Sequence, residues 1–481
     1  MARIGIIGAG ISGLTLAFLL QNKGHSVTVF ERSVQPGGAL RTTRTADGWS
    51  AEWGPNTIIE SSGRIKSLIS MLDLEDRRVY PDDLAKKRYI VRNGRMIAVP
   101  GSLAELIRTP LLSRSAKMRI LREPFRGRGN STDETLADFV RRRLGEEFLK
   151  WPIDALVGGI YAGNPELLSL RHAFPRLALL EEQHGSLIWG QLRGGIRQPA
   201  GSDEIPRNKA AIFSFDDGLQ VLPEAITRKL GDAVVTNVWP TEISTPEIST
   251  TDIRNPANTS DGRSARWQLS FRENHKKGAD LTTRSFDVLI YSGTAYGLND
   301  IKLPDSLSKE IRAVTEIPHP PVTSLTLGFR RDDVAHPLDG FGVLVPGVEG
   351  FSVLGTLFTS SLFPDRAPDS GHVTLTTYLG GTRQPEIAGK DEDEQEQLVT
   401  GALDRLLGLR GKPRFRHRVH WPKAIPQFQT GHQQFLDRIN RAESEHPGFY
   451  MSGNYRTGIS VGDTINAAFD LADRIHHKHQ D

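Results

Sequence analysis

Residues 3–32 read RIGIIGAGISGLTLAFLLQNKGHSVTVFER, and this stretch decides the fold. Its first residues are apolar enough for a buried strand, and Gly8, Gly10 and Gly13 follow in G-x-G-x-x-G register ahead of an apolar helical run. The three glycines serve different ends: a tight turn, close approach of backbone to a pyrophosphate, and close packing of helix on strand, with the phosphate charge at the helix N-terminus. Gly24 ends the helix, and HSVTVFE reads as a second strand with Glu31 at its tip. Glu31 lies 18 positions after Gly13. An acid about 20 residues on is where a ribose hydroxyl is held. A carboxylate there repels a 2′-phosphate, so the expected ligand is a dinucleotide of the NAD or FAD kind.

The chain has 481 residues, which predicts two or three structural domains. It contains no cysteine, which removes disulfides, thiolate catalysis, cysteine-ligated metal and a flavin attached through cysteine. The net charge of +3 comes without a basic tail interleaved with aromatics, so nucleic acid is not an expected partner. A first strand starting at residue 3 leaves no room ahead of it for a signal or transit peptide. The apolar run after Gly13 is shorter than the roughly 20 residues that cross a bilayer. No metal site is expected, no G-x-S-x-G nucleophile or acid–base pair stands out, and HHKH at 476–479 reads as a frayed polar tail.

After Glu31 come a glycine-rich loop and short strand-like pieces, and residues 100–185 look helical, broken by Pro100, Pro110 and Pro124. Residues 190–210 read as an exposed loop, and 241–263 as a polar insertion in a solvent-facing hairpin. AIFSFDDGLQVLPEAITRKLGDAVVTNV (211–238) gives strand, turn, helix and strand. Alternating segments between 315 and 380 predict an antiparallel sheet, followed by a helix near 393–408. GFYMSGNYRTGISVGDTINAAFDLADRI (448–475) is again strand, glycine turn and helix. If its turn packs beside the first, both chain ends build one cofactor site, which suits an elongated FAD better than NAD.

Gly8-Ala-Gly with Glu31, then Gly37-Gly38 and Arg41-Thr42, resembles the N-terminal pattern of the flavoproteins that include amine oxidases, phytoene desaturases and protoporphyrinogen oxidases. GPNTI (54–58), KRYIVRNGR (87–95), GIYAGNPELLSLRHAFPRL (159–177), GFGVLVP (340–346), LGTLFTSSLFPDRAP (354–368), WPKAIPQFQTGH (421–432) and SGNYRTGISVGD (452–463) narrow it. They resemble the oxygen-dependent protoporphyrinogen oxidases, most of all the plant mitochondrial type, over nearly the full chain.

That resemblance implies a three-part protein. A Rossmann-like FAD-binding domain of α/β type takes 1–80, 205–299 and 415–481; an antiparallel-sheet, α+β substrate domain takes 81–92 and 300–414; a helical membrane-associating domain takes 93–204. It implies one non-covalent FAD per chain, contacted by Gly8, Gly10, Ser12, Gly13, Glu31, Arg32, Gly38, Ala39, Arg41, Gly54, Asn56, Trp421, Gly453, Val461 and Gly462. The adenine contact is left out of that set, because Pro240 in Val238-Trp239-Pro240 stands near the family's usual valine.

For the substrate, a flexible apolar tetrapyrrole with two propionates, the resemblance implies Arg88 as carboxylate partner. It also implies Leu344, Leu357 and Tyr378 as an apolar clamp, the Gly159 carbonyl as acceptor for a pyrrole N–H, and Asn56 between flavin and substrate. Tyr378 departs from the plant enzymes, which carry phenylalanine there. The implied reaction is hydride transfer from the macrocycle to the flavin, with reoxidation by oxygen to hydrogen peroxide; three cycles remove six electrons. Seven arginines and lysines from Arg108 to Arg128 interleave with leucines, isoleucine and methionine. They read either as a lipid-facing surface or as the solvated side of a helix pair. The family's insoluble substrate and product favour peripheral attachment to a membrane, with the protein otherwise cytoplasmic, and the family's habit is a homodimer. Coproporphyrinogen III oxidation, an amine oxidase and a non-catalytic FAD-binding subunit of a membrane complex are the alternatives.

Overall fold

The computed structural model describes residues 1–129, 133–193, 195–196, 203, 205, 210–246, 265–273 and 280–479. The chain opens with β1 (Arg3–Ile7), α1 (Ile11–Asn22) and β2 (Ser26–Phe30). A hairpin of β3 (Lys87–Arg92) and β4 (Arg95–Ala98) precedes the helices α2 (Leu136–Arg143), α3 (Asp154–Tyr161) and α4 (Pro175–His184). Then come α5 (Val221–Leu230), β5 (Val234–Val235) and β6 (Val288–Tyr291). The strands β7 (Val322–Arg330), β8 (Gly340–Leu344), β9 (Gly355–Leu357) and β10 (His372–Gly380) lead into α6 (Glu392–Leu407). β11 (Phe415–Trp421), β12 (Phe449–Met451) and α7 (Val461–Lys478) close the chain.

One five-stranded sheet, in the order β5-β2-β1-β6-β12, is parallel throughout. It joins the first strand of the chain to the last. Ten of the twelve residues of α1 are buried. An all-round apolar helix needs cover on every side, and α1 has it: Leu14, Leu16 and Ala17 share one core with Ile226 of α5 and Ile465, Leu471 and Ala472 of α7. The expected tail at 476–479 is a correction: α7 runs through Lys478, because Ile475 is fully buried and ties its last turn down. His476 there meets His25, Nδ1 to Nε2, at 3.0 Å. Burial and the neighbouring histidines hold His25 down to about 4.

The second sheet has seven strands in the order β11-β7-β10-β9-β8-β3-β4. It corrects the purely antiparallel expectation, since β3 and β8 run parallel while the other neighbours are antiparallel. A parallel pair needs a long crossover, and the chain between Arg92 and Gly340 supplies one. The sheet also extends past residue 92, because Asn93 (φ +52°) and Gly94 (φ +70°) form the tight turn that brings β4 back onto β3. One face is apolar: Tyr89, Val343, Leu325, Leu327, Phe329, Leu375 and Leu379 pack with Val399, Leu403 and Leu407 of α6.

The helical segment centres on Arg143, which is fully buried and paired with the equally buried Glu123 (3.1 Å) and with Glu181. Glu123 in turn accepts the N–H groups of Leu187 and Ile188, heading the helix Leu187–Leu192. Most of the loop expected at 190–210 lies outside the described residues, as does most of the insertion expected at 241–263. Its flanks, Val238–Ser244 and Trp267–Glu273, pair antiparallel as the two arms of a hairpin.

Candidate active site

The glycine loop shapes an anion site by what it lacks. Gly10 caps α1 without a side-chain hydrogen bond, the first turn carries no acid, and a Cβ at Gly10 would meet nothing within 4 Å. The leading N–H groups of such a helix attract an anion. Gly8 sits at φ +105°, and a Cβ on Gly13 would fall 2.0 Å from the Gly8 carbonyl oxygen, so helix and strand meet backbone to backbone. Glu31 stands just beyond β2 and accepts the N–H groups of Ala9 (2.8 Å) and Ser33 (2.7 Å). A carboxylate has about four lone-pair sites, so both oxygens retain capacity for hydroxyl groups.

Around the loop lie the other expected contacts. Gly37 donates to the Ala9 carbonyl at 2.8 Å, placing Gly38 and Ala39, both exposed, beside the loop. A Cβ on Gly54 would lie 2.9 Å from the Ala39 carbonyl oxygen. Arg41 spans 5.4 Å to the Trp53 ring, donates to the Gln35 carbonyl, and keeps its Nε buried without a partner. Trp421, at the end of β11, donates to the Trp53 carbonyl at 3.0 Å. Arg32 turns outward, over the Trp239 ring and 3.5 Å from Asp300. The Val238 N–H bonds the Glu31 carbonyl, while Pro240 sits at the bulge of its strand.

The C-terminal turn reaches the same place. Ser12 and Ser452 share a hydrogen bond of 2.8 Å, which puts Gly453 next to the N-terminal loop. Val461 and Gly462 head α7, capped reciprocally by Ser460 and Asp463. A Cβ on Gly462 would press on Ile65 and the Ile59 carbonyl, at 3.1 and 3.2 Å. An open, uncapped helix start and the unpartnered Arg41 Nε fit an anionic dinucleotide.

The seven-stranded sheet brings the residues expected to meet substrate together on the face opposite α6. Arg88 is registered with Gly342, Gly342 with Leu357, and Leu357 with Thr376. Two residues along, Ile90, Leu344, Gly355, Tyr378 and Ser324 form the next row. Strand alternation therefore puts Arg88, Leu344, Leu357 and Tyr378 on one side. Arg88 is exposed, 5.4 Å over the Phe341 ring, and its guanidinium pairs with no carboxylate among the described residues. Gly159, exposed on α3, abuts this face: a Cβ there would lie 2.4 Å from Leu344 Cδ2. Tyr378 accepts a hydrogen bond from Asn56 Nδ2 at 2.8 Å. Burial pushes the Tyr378 phenol well above its ordinary range, so it stays neutral.

Elsewhere the cofactor half covers this face. Trp49 lies against Gly328 of β7, where a Cβ would come within 2.3 Å of the indole. Beneath the junction Arg366 and Glu52 are both about 1% exposed and 4.0 Å apart. Burial raises Glu52 to about 7 against the opposing pull of Arg366. Thr42 and the Leu219 N–H also bond Glu52, and Ser214 and the Phe215 carbonyl bond Arg366.

Residues 11–476 match the family model described as flavin containing amine oxidoreductase. The chain belongs to this family. It is a flavin-dependent oxidoreductase, as expected from the sequence, and FAD is its cofactor. Among curated members of the family, protoporphyrinogen oxidase 2 (chloroplastic/mitochondrial) of Arabidopsis thaliana is 33% identical over 98% of this chain and 93% of its own length. A coproporphyrinogen III oxidase of Bacillus subtilis is 26% identical over 96% of this chain and 95% of its own. A crystal structure from Exiguobacterium sp. 255-15, provisionally named a protoporphyrinogen oxidase, superposes with a TM-score of 0.76 at 19% identity, covering 99% of each chain. That likeness speaks to the fold.

Sequence reading missed Ser452, Ser324 and the Glu52–Arg366 pair. Ser324 had a signal: in β7 the small or polar Ser324, Thr326 and Gly328 alternate with the apolar Leu325, Leu327 and Phe329, yet Ser324 is 3% exposed. A polar face that is also buried marks cover by another element. Glu52 and Arg366 are 314 positions apart and carry no local signal.

Proposed function

We propose that this flavoenzyme oxidises protoporphyrinogen IX to protoporphyrin IX, removing six electrons in three two-electron steps with oxygen as acceptor and hydrogen peroxide as product. The observation that carries it is the sheet face on which Arg88, Leu344, Leu357 and Tyr378 stand in adjacent registered rows, opposite Gly159 and beside Asn56. FAD, bound by Gly8, Gly10, Ser12, Gly13, Glu31, Arg41 and the α7 start, supplies the two-electron acceptor. The protein's part is positional. Leu344, Leu357 and Tyr378 hold the macrocycle by apolar contact, Arg88 takes a propionate bidentately, and the Gly159 carbonyl faces a pyrrole N–H. No charged side chain is needed at the reacting carbon.

The division into an FAD domain, a substrate domain and a helical membrane-docking domain belongs to the same reading. Its support is the surface between residues 103 and 128. Ile107, Met118, Leu121 and Phe125 are 63, 50, 48 and 87% exposed there, among the exposed Arg108, Arg114, Arg122, Arg126 and Arg128. Apolar tips set in basic charge suit an anionic bilayer surface. No helix among the described residues is long and apolar enough to cross a membrane.

The test is porphyrin fluorescence against time, with protoporphyrinogen IX and coproporphyrinogen III offered in parallel in air. Faster turnover of the first is expected; preference for the second, with its four propionates, would reassign the substrate. In Arg88→Ala the KM should rise about 10-fold or more, as a charge-assisted hydrogen bond contributes about 1.5–3 kcal/mol, while the flavin spectrum holds. Loss of flavin instead would place Arg88 in the cofactor site.

A further inference from the structure

Asn56 is 7% exposed and lies where the cofactor loop meets the sheet face. Its amide orientation is readable from its partners. Nδ2 reaches the Gly54 carbonyl at 3.3 Å and the Tyr378 hydroxyl at 2.8 Å. A carbonyl oxygen only accepts, so the NH2 group must face that side. Oδ1 is then turned the other way, buried and without a hydrogen-bond partner. A buried amide oxygen left unpaired carries its full desolvation cost, and such a group calls for a donor from outside the chain. Directly across the strand pair from Tyr378, the Ser324 hydroxyl is also buried and unpartnered.

Tyr378 is what holds this arrangement. Its hydroxyl accepts from Asn56, and with phenylalanine at 378 the amide would keep only the longer bond to Gly54 and could turn over. We infer that Tyr378 is a positioning residue that locks the Asn56 amide with Oδ1 presented as an acceptor for a pyrrole N–H of the tetrapyrrole. The inference rests on the functional reading above. Two bound groups could supply the N–H, the macrocycle and the flavin ring. The sheet face favours the macrocycle, because Tyr378 shares its row with Leu344 and stands one row from Leu357 and Arg88. The pair thereby supplies a second macrocycle acceptor beside the Gly159 carbonyl, in a chain whose ring at 378 carries a hydroxyl.

The variants are Tyr378→Phe, Asn56→Ala and the double substitution, all as flavin-loaded protein. Tyr378→Phe keeps ring and volume, so thermal midpoint, flavin content and flavin spectrum should match the wild type. Its KM for protoporphyrinogen IX and its Kd for protoporphyrin IX, read by absorbance titration, should rise about 3- to 10-fold, the range of one hydrogen bond, with kcat within about 2-fold. Because Tyr378 acts through Asn56, the double variant should be no weaker than Asn56→Ala alone. Additive losses would overturn the inference, and so would a shift of the flavin spectrum or potential at unchanged KM, which would assign Oδ1 to the flavin. Wild-type turnover with an unchanged KM in Tyr378→Phe overturns the inference alone; wild-type protein that binds no tetrapyrrole overturns the functional reading and the inference with it.

Discussion

Substituting Gly159→Ala separates substrate geometry from folding. The new Cβ would stand 2.4 Å from Leu344 Cδ2, against 3.6 and 3.7 Å from its Cγ and Cδ1. Ordinary carbon contact is about 3.5–4.0 Å, so the methyl must retreat by roughly 1.1–1.6 Å. Behind it Ile90, Leu111 and Ala155 close the way. The Cδ2 methyl already stands over Gly355, 3.3 Å from where a Cβ would lie there, in the row that continues to Tyr378. Any shift of the methyl therefore reshapes the face proposed to hold the macrocycle. A misplacement of about 1 Å at a reacting centre costs up to about 100-fold, so kcat/KM should fall between about 10- and 100-fold. The fold should survive with a loss of no more than about 2 kcal/mol: crowding a packed site costs about 1–3 kcal/mol, and replacing glycine by alanine within a helix returns about 1 kcal/mol. Steady-state porphyrin fluorescence, flavin absorbance and a thermal melt read the three quantities. Unchanged kcat/KM would refute the placement of Leu344 on the substrate's face, and loss of folding would refute the claim that the displacement is cheap.

Two further outcomes are expected. Glu52 is raised from 4.5 to about 7 in the fold. The folded state thus binds more protons than the unfolded one between those values, and the stability from this group, complete below pH 4.5, is lost as pH rises through about 7. Glu52→Gln, neutral throughout, should lack that decline in thermal midpoint between pH 5 and about 7.5; a parallel decline in both proteins would show that Glu52 is not its source. For the proposed membrane surface, Phe125→Asp with Ile107→Asp should abolish co-sedimentation with anionic phosphatidylserine vesicles while leaving turnover in detergent unchanged, and undiminished sedimentation would refute this face as a docking surface.

Local pattern carried most of the architecture. Strand, glycine turn and helix at each end of the chain were legible because each is a run of neighbouring residues with a physical job. The alternation in β7 and β10 was likewise visible, since strand faces repeat every second residue. What escaped was pairing across distance. The β3–β8 register joins residues some 250 positions apart, and no periodicity within either strand says that they meet in parallel. The Asn93-Gly94 turn was readable in principle as a two-residue hairpin signal, and it carries β4 into a segment expected to be helical. In the site, Arg88, Leu344, Leu357, Tyr378 and Gly159 came from resemblance; the sheet register sets the first four on one face, and α3 brings Gly159 against Leu344. The orientation of Asn56 could not be read, because it depends on which atoms of Gly54 and Tyr378 it faces.

The hydrogen bond between Ser12 and Ser452, and the packing of α7 on α1, have a bearing on the order of synthesis. The strand, turn and helix of residues 3–22 are made well before α7, so the side of α1 that α7 covers has no partner until residues 461–478 have been added. In the interval the nascent chain carries one uncovered apolar side of α1 and half of a nucleotide cradle. A cradle with one half on each of these segments is complete only once α7 has been made, and a chain that stops short of that helix lacks one half of it, however much of the sheet carrying Arg88 has already formed.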